Sequence, residues 1–161
     1  MVRPVRVKTA TQTAADDIAR ILTEAFREFE PLYTAAAFAA TTPTGEVVAR
    51  RFSEGPIWIA FDENRPVGTV AAVRRADGVY VRSMAVLPGA RGKGIGRLLL
   101  HAVESFAKES TAPRLYLSTT PFLADAIRLY EASGFCRTDE PPHDLRGTAL
   151  FTMEKRLRTA G

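Results

Sequence analysis

Val86-Leu87-Pro88-Gly89-Ala90-Arg91-Gly92-Lys93-Gly94-Ile95-Gly96-Arg97-Leu98-Leu99 reads as a strand end, a glycine-rich turn and the start of a helix. Glycines at alternating positions let successive backbone N–H groups converge. At a helix N-terminus such a nest binds phosphate oxygens through those donors and the helix dipole, and Arg91, Lys93 and Arg97 add positive charge nearby. The expected ligand therefore carries phosphates. The common nucleotide motifs do not fit. A dinucleotide fingerprint needs a third glycine where Arg97 follows Gly92-x-Gly94 and Leu99 follows Gly94-x-Gly96, and a Walker loop needs Gly-Lys-Ser/Thr where this chain has Gly94-Ile95-Gly96.

Upstream of the loop the pattern is that of strands. Ile57–Phe61, a turn at 62–66 and Val67–Val73 form an expected hairpin, and a second turn at 74–78 leads into Val79–Val86, which completes an antiparallel meander. Before it, Val5 and Val7 alternate with Arg6 and Lys8 as in a strand. Thr13-Ala14-Ala15-Asp16 offers a capping box ahead of Ile18, Leu22, Ala25, Phe26 and Phe29 at helical spacing. A second helical region is expected at about 33–52, interrupted at 41–45, where Thr42 caps and Pro43 opens the last turns.

Downstream, Leu98, Leu99, Ala102, Val103 and Phe106 are placed on one helix face. A strand follows at Arg114–Ser118, then a helix at about 122–132 that stops at Ser133-Gly134, where glycine suits a left-handed cap. The last strands are Phe135–Thr138 and Ala149–Glu154, separated by a loop at 139–147. The order β-α-α-β-β-β-α-β-α-β-β predicts an α/β protein with a mixed central sheet flanked by helices.

The 161 residues, 46% hydrophobic and 25% charged, suit one domain over 1–161. A chain of this length buries roughly 70% of its unfolded surface without disulfides. One cysteine, Cys136, and two histidines, His101 and His143, build neither a disulfide nor a Cys/His metal site. Cys136 and His101 read as structural, Cys136 as buried and inert, and His143, in Pro141-Pro142-His143-Asp144, as a residue of a substrate loop or, more commonly for a lone loop histidine, merely solvated. The start, Met1 to Lys8, has charges spaced through it and no apolar run of signal-peptide or membrane-span length, so a cytoplasmic protein with no membrane partner is expected. The net charge of +4 is spread as short pairs such as Arg50-Arg51 and Arg74-Arg75, without a basic stripe or interleaved aromatics. That argues against nucleic acid as a partner.

Arg91-Gly92-Lys93-Gly94-Ile95-Gly96 matches Arg-x-x-Gly-x-Gly, and Ala126-Ile127-Arg128-Leu129-Tyr130-Glu131-Ala132-Ser133-Gly134-Phe135 follows some thirty residues on. In these two stretches and in element order over about residues 5–156, the chain resembles the GNAT superfamily of acyl-coenzyme A dependent N-acyltransferases. The resemblance implies a GNAT-like fold and transfer of acetyl from acetyl-CoA to a primary amine by direct attack. It implies that the amides of Arg91, Gly92, Lys93, Gly94, Ile95 and Gly96 hold the pyrophosphate. The backbone of Met84, Ala85 and Val86 would pair with the pantetheine arm, and an amide near Met84 or Ala85 would polarise the thioester carbonyl.

By the same resemblance Tyr130 is the general acid that protonates the departing thiolate, a phenol being protonated at neutral pH. The alternative is a helix tyrosine packed beside Ile127 and Leu129. Phe29, Tyr33 and Tyr80 are implied as walls of the acceptor site, with core packing as their alternative. Many relatives carry a carboxylate on the strand before the loop; here Val79-Tyr80-Val81-Arg82-Ser83 has none, which leaves Glu28, Glu30 or Tyr80 through water as substitutes and no base assigned. Leu123 stands where many relatives have an asparagine that touches the coenzyme. The compact length points to a small-molecule amine as acceptor, and the fold's habit of pairing through sheet edges implies a homodimer. The missing carboxylate motivates a rival reading, a non-catalytic acyl-CoA binding or sensing module.

Overall fold

The computed structural model describes residues 5–158, so the Met1–Pro4 part of the chain start considered above lies outside the described residues. Eight strands and five α-helices follow one another as β1 (Val5–Thr9), α1 (Ala15–Phe26), α2 (Ala35–Thr41), α3 (Gly45–Arg51), β2 (Ile57–Asp62), β3 (Arg65–Arg75), β4 (Gly78–Val86), α4 (Ile95–Glu109), β5 (Arg114–Thr119), α5 (Ala124–Ala132), β6 (Cys136–Arg137), β7 (His143–Leu145) and β8 (Thr148–Arg156). The sheet runs β1-β2-β3-β4-β5-β8-β6, with β7 paired to β8. Among the described residues only β4 and β5 pair in parallel; the other ladders are antiparallel. The α/β class and the mixed sheet are as expected from the sequence.

Alternation along the strands feeds two cores. Trp58 and Ala60 of β2 face α4 with Leu99, Leu100, Val103 and Ala107, while Ile57 and Ile59 face α1 with Ile18, Ile21, Leu22 and Ala25. The central strands are thus apolar on both faces, as a sheet covered on both sides requires. Leu98, expected on the apolar face of α4, is exposed instead, and Leu100 takes a buried place. At about 100° per residue, Leu98 is turned away from the arc centred on Leu99 and Val103.

Other local differences have local causes. Thr13 does not cap α1: its hydroxyl pairs with that of Thr11 at 2.8 Å inside a 3₁₀ turn at Gln12–Ala14. Phe29 lies beyond α1, in a 3₁₀ segment at Arg27–Leu32, because Pro31 lacks the N–H that an α-helix would bond to Arg27 and its ring crowds that carbonyl. The second helical region is two helices, capped by Thr34, which accepts from Ala37 N, and by Thr44, which accepts from Val47 N. Thr42 instead bonds back to the Phe38 carbonyl. β7 was expected as loop, since His143-Asp144-Leu145 carries one apolar residue. It forms because Arg146 and Gly147, both at positive φ, turn it onto β8 in a tight hairpin.

The feature that positions the site is a bulge. Between the pairs Thr69↔Ala85 and Ala71↔Arg82 the β3–β4 register slips by one residue, at Ser83, whose φ is 54°. The slip inverts the alternation. Val79 and Val81 face α4, whereas Ala85 joins the α1 core.

Candidate active site

β4 and β5 are hydrogen-bonded neighbours only at Val79↔Leu115 and Tyr80↔Tyr116; beyond that β5 continues with β8 while β4 bends away at Ser83. A cavity of about 730 Å³ opens in the wedge between them. Met84, Ala85 and Val86 line it from β4, Leu117 to Thr119 from β5 with Thr120 just beyond it, Leu129 and Tyr130 from α5, and Phe29 and Tyr33 from the segment after α1. Leu87 N donates to Val67 O on β3, so by alternation the Val86 N–H points into the wedge.

The glycine loop closes one end. Gly92 and Gly94 have φ of 83° and 79°, a region costly for other residues, and a Cβ at either would meet open space, so the backbone is bare toward the cavity. Leu98 N, bonded to Gly94 O, is the first amide of the α4 ladder. The N–H groups of Gly92 through Arg97 have no acceptor among the described residues. Six converging donors at the positive end of a fifteen-residue helix form a cradle that fits the oxygens of a pyrophosphate. At Gly96 a Cβ would lie 2.7 Å from Leu129 Cδ2, so a side chain there would push the end of Leu129 aside where α4 starts against α5.

The side-chain charge of the loop is mostly spent within the protein. Arg91 donates to the carbonyls of Val86 and Ala25, each at 3.2 Å, and pairs with Glu28, which staples the loop to the end of α1. Lys93 Nζ bonds Asp62 at 2.7 Å and its residue is not among those lining the cavity. Arg97 lines the cavity and forms no ion pair among the described residues.

Tyr130 is 8% exposed and packs its ring 5.9 Å from Phe135. Burial pushes its phenol well above the ordinary value, and the Tyr33 and Tyr80 phenols nearby raise it further, so the hydroxyl holds its proton at any physiological pH. No hydrogen bond from a described residue enters among the causes of that shift. Burial likewise lifts Tyr33 to about 12, with the Thr120 and Thr41 hydroxyls opposing the rise. Tyr33 stands edge-on to Phe122 at 4.9 Å, and Phe29 lies 6.3 Å from the same ring. These aromatics roof one end of the cavity; Tyr80, in edge contact with Tyr116 at 5.3 Å, lies on its floor.

The remaining polar lining is cationic and hydroxylic. Arg51 and Arg82 both line the cavity, with Arg51 Nη1 donating to Ser83 Oγ at 3.1 Å across the bulge. Ser118 Oγ lies 3.1 Å from His143 Nε2, and Thr119 carries a buried hydroxyl without a partner. Asp125 is the one carboxylate among the lining residues, and it pairs with Arg128. Neither Glu28 nor Glu30 lines the cavity.

A family model described as the Acetyltransferase (GNAT) family matches residues 15–135. The chain belongs to this GNAT family. The matched stretch includes the bulged β4, the glycine loop and the tyrosine helix, which together frame the wedge. Among curated relatives, streptothricin acetyltransferase of Streptomyces lavendulae is 44% identical over 55 residues, 34% of this chain and 29% of its own length. N-acetylaspartate synthetase of Danio rerio is 39% identical over 101 residues, 61% of this chain and 36% of its own length. The chain thus spans about a third of the length of these relatives. Among solved structures, the PaiA N-acetyltransferase of Thermoplasma acidophilum in complex with coenzyme A superimposes with a TM-score of 0.80 at 16% identity, over 96% of this chain and all of the other.

Within this GNAT domain, the residues singled out for the coenzyme, the acceptor walls and the acid line the cavity, except Lys93, whereas the base substitutes Glu28 and Glu30 do not. Arg51, Arg82, Ser118 and Thr119 were not singled out. Arg82 was accessible to strand alternation, since it lies two residues beyond Tyr80 on the same face. Arg51 is brought in by the packing of α3 near the bulge, and Ser118 pairs with His143 only through β7, so neither carries a local signal. Cys136, read as buried, is exposed. No helix among the described residues is long and apolar enough to cross a membrane.

Proposed function

We propose that this chain, as a single domain, is an N-acetyltransferase that moves acetyl from acetyl-CoA to the primary amine of a small molecule by direct attack. The observation that carries the proposal is the unpaired β4 edge leading from the bulge into six unpartnered loop amides. Acetyl-CoA supplies an activated thioester. The amides of Gly92 to Gly96 hold its pyrophosphate, that of Arg91 being turned to Pro88 O at 3.4 Å, and the β4 edge at Met84, Ala85 and Val86 takes its pantetheine arm as an added strand. An amide of that edge polarises the carbonyl under attack.

As the carbon–nitrogen bond forms and the carbon–sulfur bond breaks, Tyr130 gives its hydroxyl proton to the departing sulfur, and the second proton that the nitrogen sheds on becoming an amide restores the phenol. The amine arrives as an ammonium and must first lose a proton. Ser118, on the cavity wall, receives it at Oγ and relays its own to His143 Nε2 at 3.1 Å. Imidazole is the side chain suited to that exchange near neutral pH. Leu123, at the N-cap of α5, lines the cavity without a polar group to offer the coenzyme.

The test is thiol release from acetyl-CoA against a panel of small primary amines. Acceptor-dependent turnover, reduced in His143→Gln by about tenfold or more with the KM for acetyl-CoA unchanged, is expected. Coenzyme binding with no turnover across the panel would instead assign the domain to a non-catalytic acyl-CoA sensor, the reading favoured by the absence of a free carboxylate among the lining residues.

A further inference from the structure

The end of the cavity away from the glycine loop is built for an anion. Arg51, in the last turn of α3, and Arg82, on β4, both line it, and both are partly buried. Two guanidinium groups share one carboxylate there, since Glu54 pairs with Arg82 Nη2 and neither arginine has another acidic partner among the described residues. Arg82 Nε is buried with no acceptor at all. Arg51 spends one donor on Ser83 Oγ and no other described residue accepts from it, although a guanidinium carries five. Burial, and next the charge of Arg82, lower the affinity of Arg51 for its proton, while Glu54 opposes them.

An excess cation held partly out of water, with a buried N–H orphaned, costs folding free energy and is compensated when an anion enters. The planar fork of arginine matches a carboxylate in particular, because two parallel N–H groups reach two oxygens. The coenzyme's pyrophosphate is not that anion. At about 3.3 Å per residue, Arg82 sits roughly 10–13 Å back along β4 from Val86, the strand's last residue, and the phosphate cradle lies beyond it in the loop, from Gly92 on.

We infer that the acceptor is an amine that also carries a carboxylate, an amino-acid-like molecule whose carboxylate is held by Arg51 and Arg82 while its nitrogen faces the β4 edge. This rests on the acetyl-transfer reading of the same site. Polyamines and other polycationic amines are selected against, because the two guanidinium groups repel them without a carboxylate in return.

The experiment is isothermal titration of the protein saturated with coenzyme A, which prevents turnover. The probes are the twenty L-amino acids, β-alanine, the C-terminal amides of each, putrescine and spermidine. At least one carboxylate-bearing amine is expected to bind, with its amide at least 30-fold weaker. Arg51→Gln and Arg82→Gln each weaken the carboxylate about 30-fold and bring it level with its amide. Retained coenzyme A affinity in both variants shows that the fold is intact, and Arg51→Lys, which keeps the charge but not the fork, recovers only part of the preference. Equal binding of acids and amides, preference for a polyamine, or no binding by any member of the panel overturns the inference while leaving acetyl transfer to other amines standing. Failure of the wild type to bind coenzyme A overturns both.

Discussion

The two ends of β4 are built from the same strand and do opposite things. At its start, Val79 and Tyr80 pair with β5, beside a charge network centred on Arg114. Arg114, 9% exposed in its side chain, bonds Asp77 at 3.0 Å, Glu140 at 3.1 Å and Glu154 at 2.7 Å, and lies over the Tyr116 ring at 4.1 Å. Tyr116 in turn donates to Asp77 at 2.8 Å. Past the bulge at Ser83 the strand is unpaired toward β5, and the polar groups that surround it lack partners: the amides of Gly92 through Arg97, Arg82 Nε and Thr119 Oγ1. Polar groups satisfied inside the chain hold the fold together, and groups left unsatisfied next to a cavity mark where a ligand completes it.

That contrast separates damage to chemistry from damage to stability. The largest effect is expected from Tyr130→Phe, which removes a proton at the open end: kcat in a thiol-release assay falls about 100- to 1,000-fold, with KM for acetyl-CoA and the melting temperature nearly unchanged. Next is Gly94→Val. A β-branched residue at φ 79° is strained by about 1–2 kcal/mol and displaces the bare amides, so calorimetric affinity for acetyl-CoA drops about 30-fold.

Arg114→Met attacks the closed end instead. Discounted for the exposure of Asp77 and Glu140, the loss is about 2 kcal/mol, a fall in melting temperature of roughly 4–8 °C by scanning calorimetry, with kcat kept. The smallest effect is in acid. The Tyr116 hydroxyl, followed by Arg114, holds the Asp77 carboxyl below its usual range, and Arg114 does the same for Glu154. Both bind a proton more weakly folded than unfolded. Their stabilisation is therefore complete above the unfolded-chain value of about 4 and is lost as pH falls through their folded values. The melting temperature should decline below about pH 4, and Arg114→Met should flatten that decline.

How much of this could be read from the residues follows from the range of the interactions. The strands from Ile57 to Val86 and the helix after the glycine loop carry their own period and punctuation, so they were legible from local pattern. The helix after β1 was legible as a helix but not in its ends, because a Thr11–Thr13 side-chain bond and Pro31 decide them. β7 has no period of its own and exists through pairing with β8. At the site, the loop and Tyr130 lie in motifs with fixed spacing. Arg51 and Ser118 owe their places to the bulge at Ser83 and to the β7 hairpin, contacts between residues far apart in the chain.

The central claim, that the open end of β4 is completed by acetyl-CoA, is tested most directly by thermal unfolding with and without that compound, with NAD and ATP as controls. At one hundred times its dissociation constant it should add about 2.7 kcal/mol and raise the midpoint by roughly 5–10 °C, with no comparable rise from the controls. An unchanged midpoint at millimolar acetyl-CoA, or an equal rise with NAD or ATP, would contradict the account.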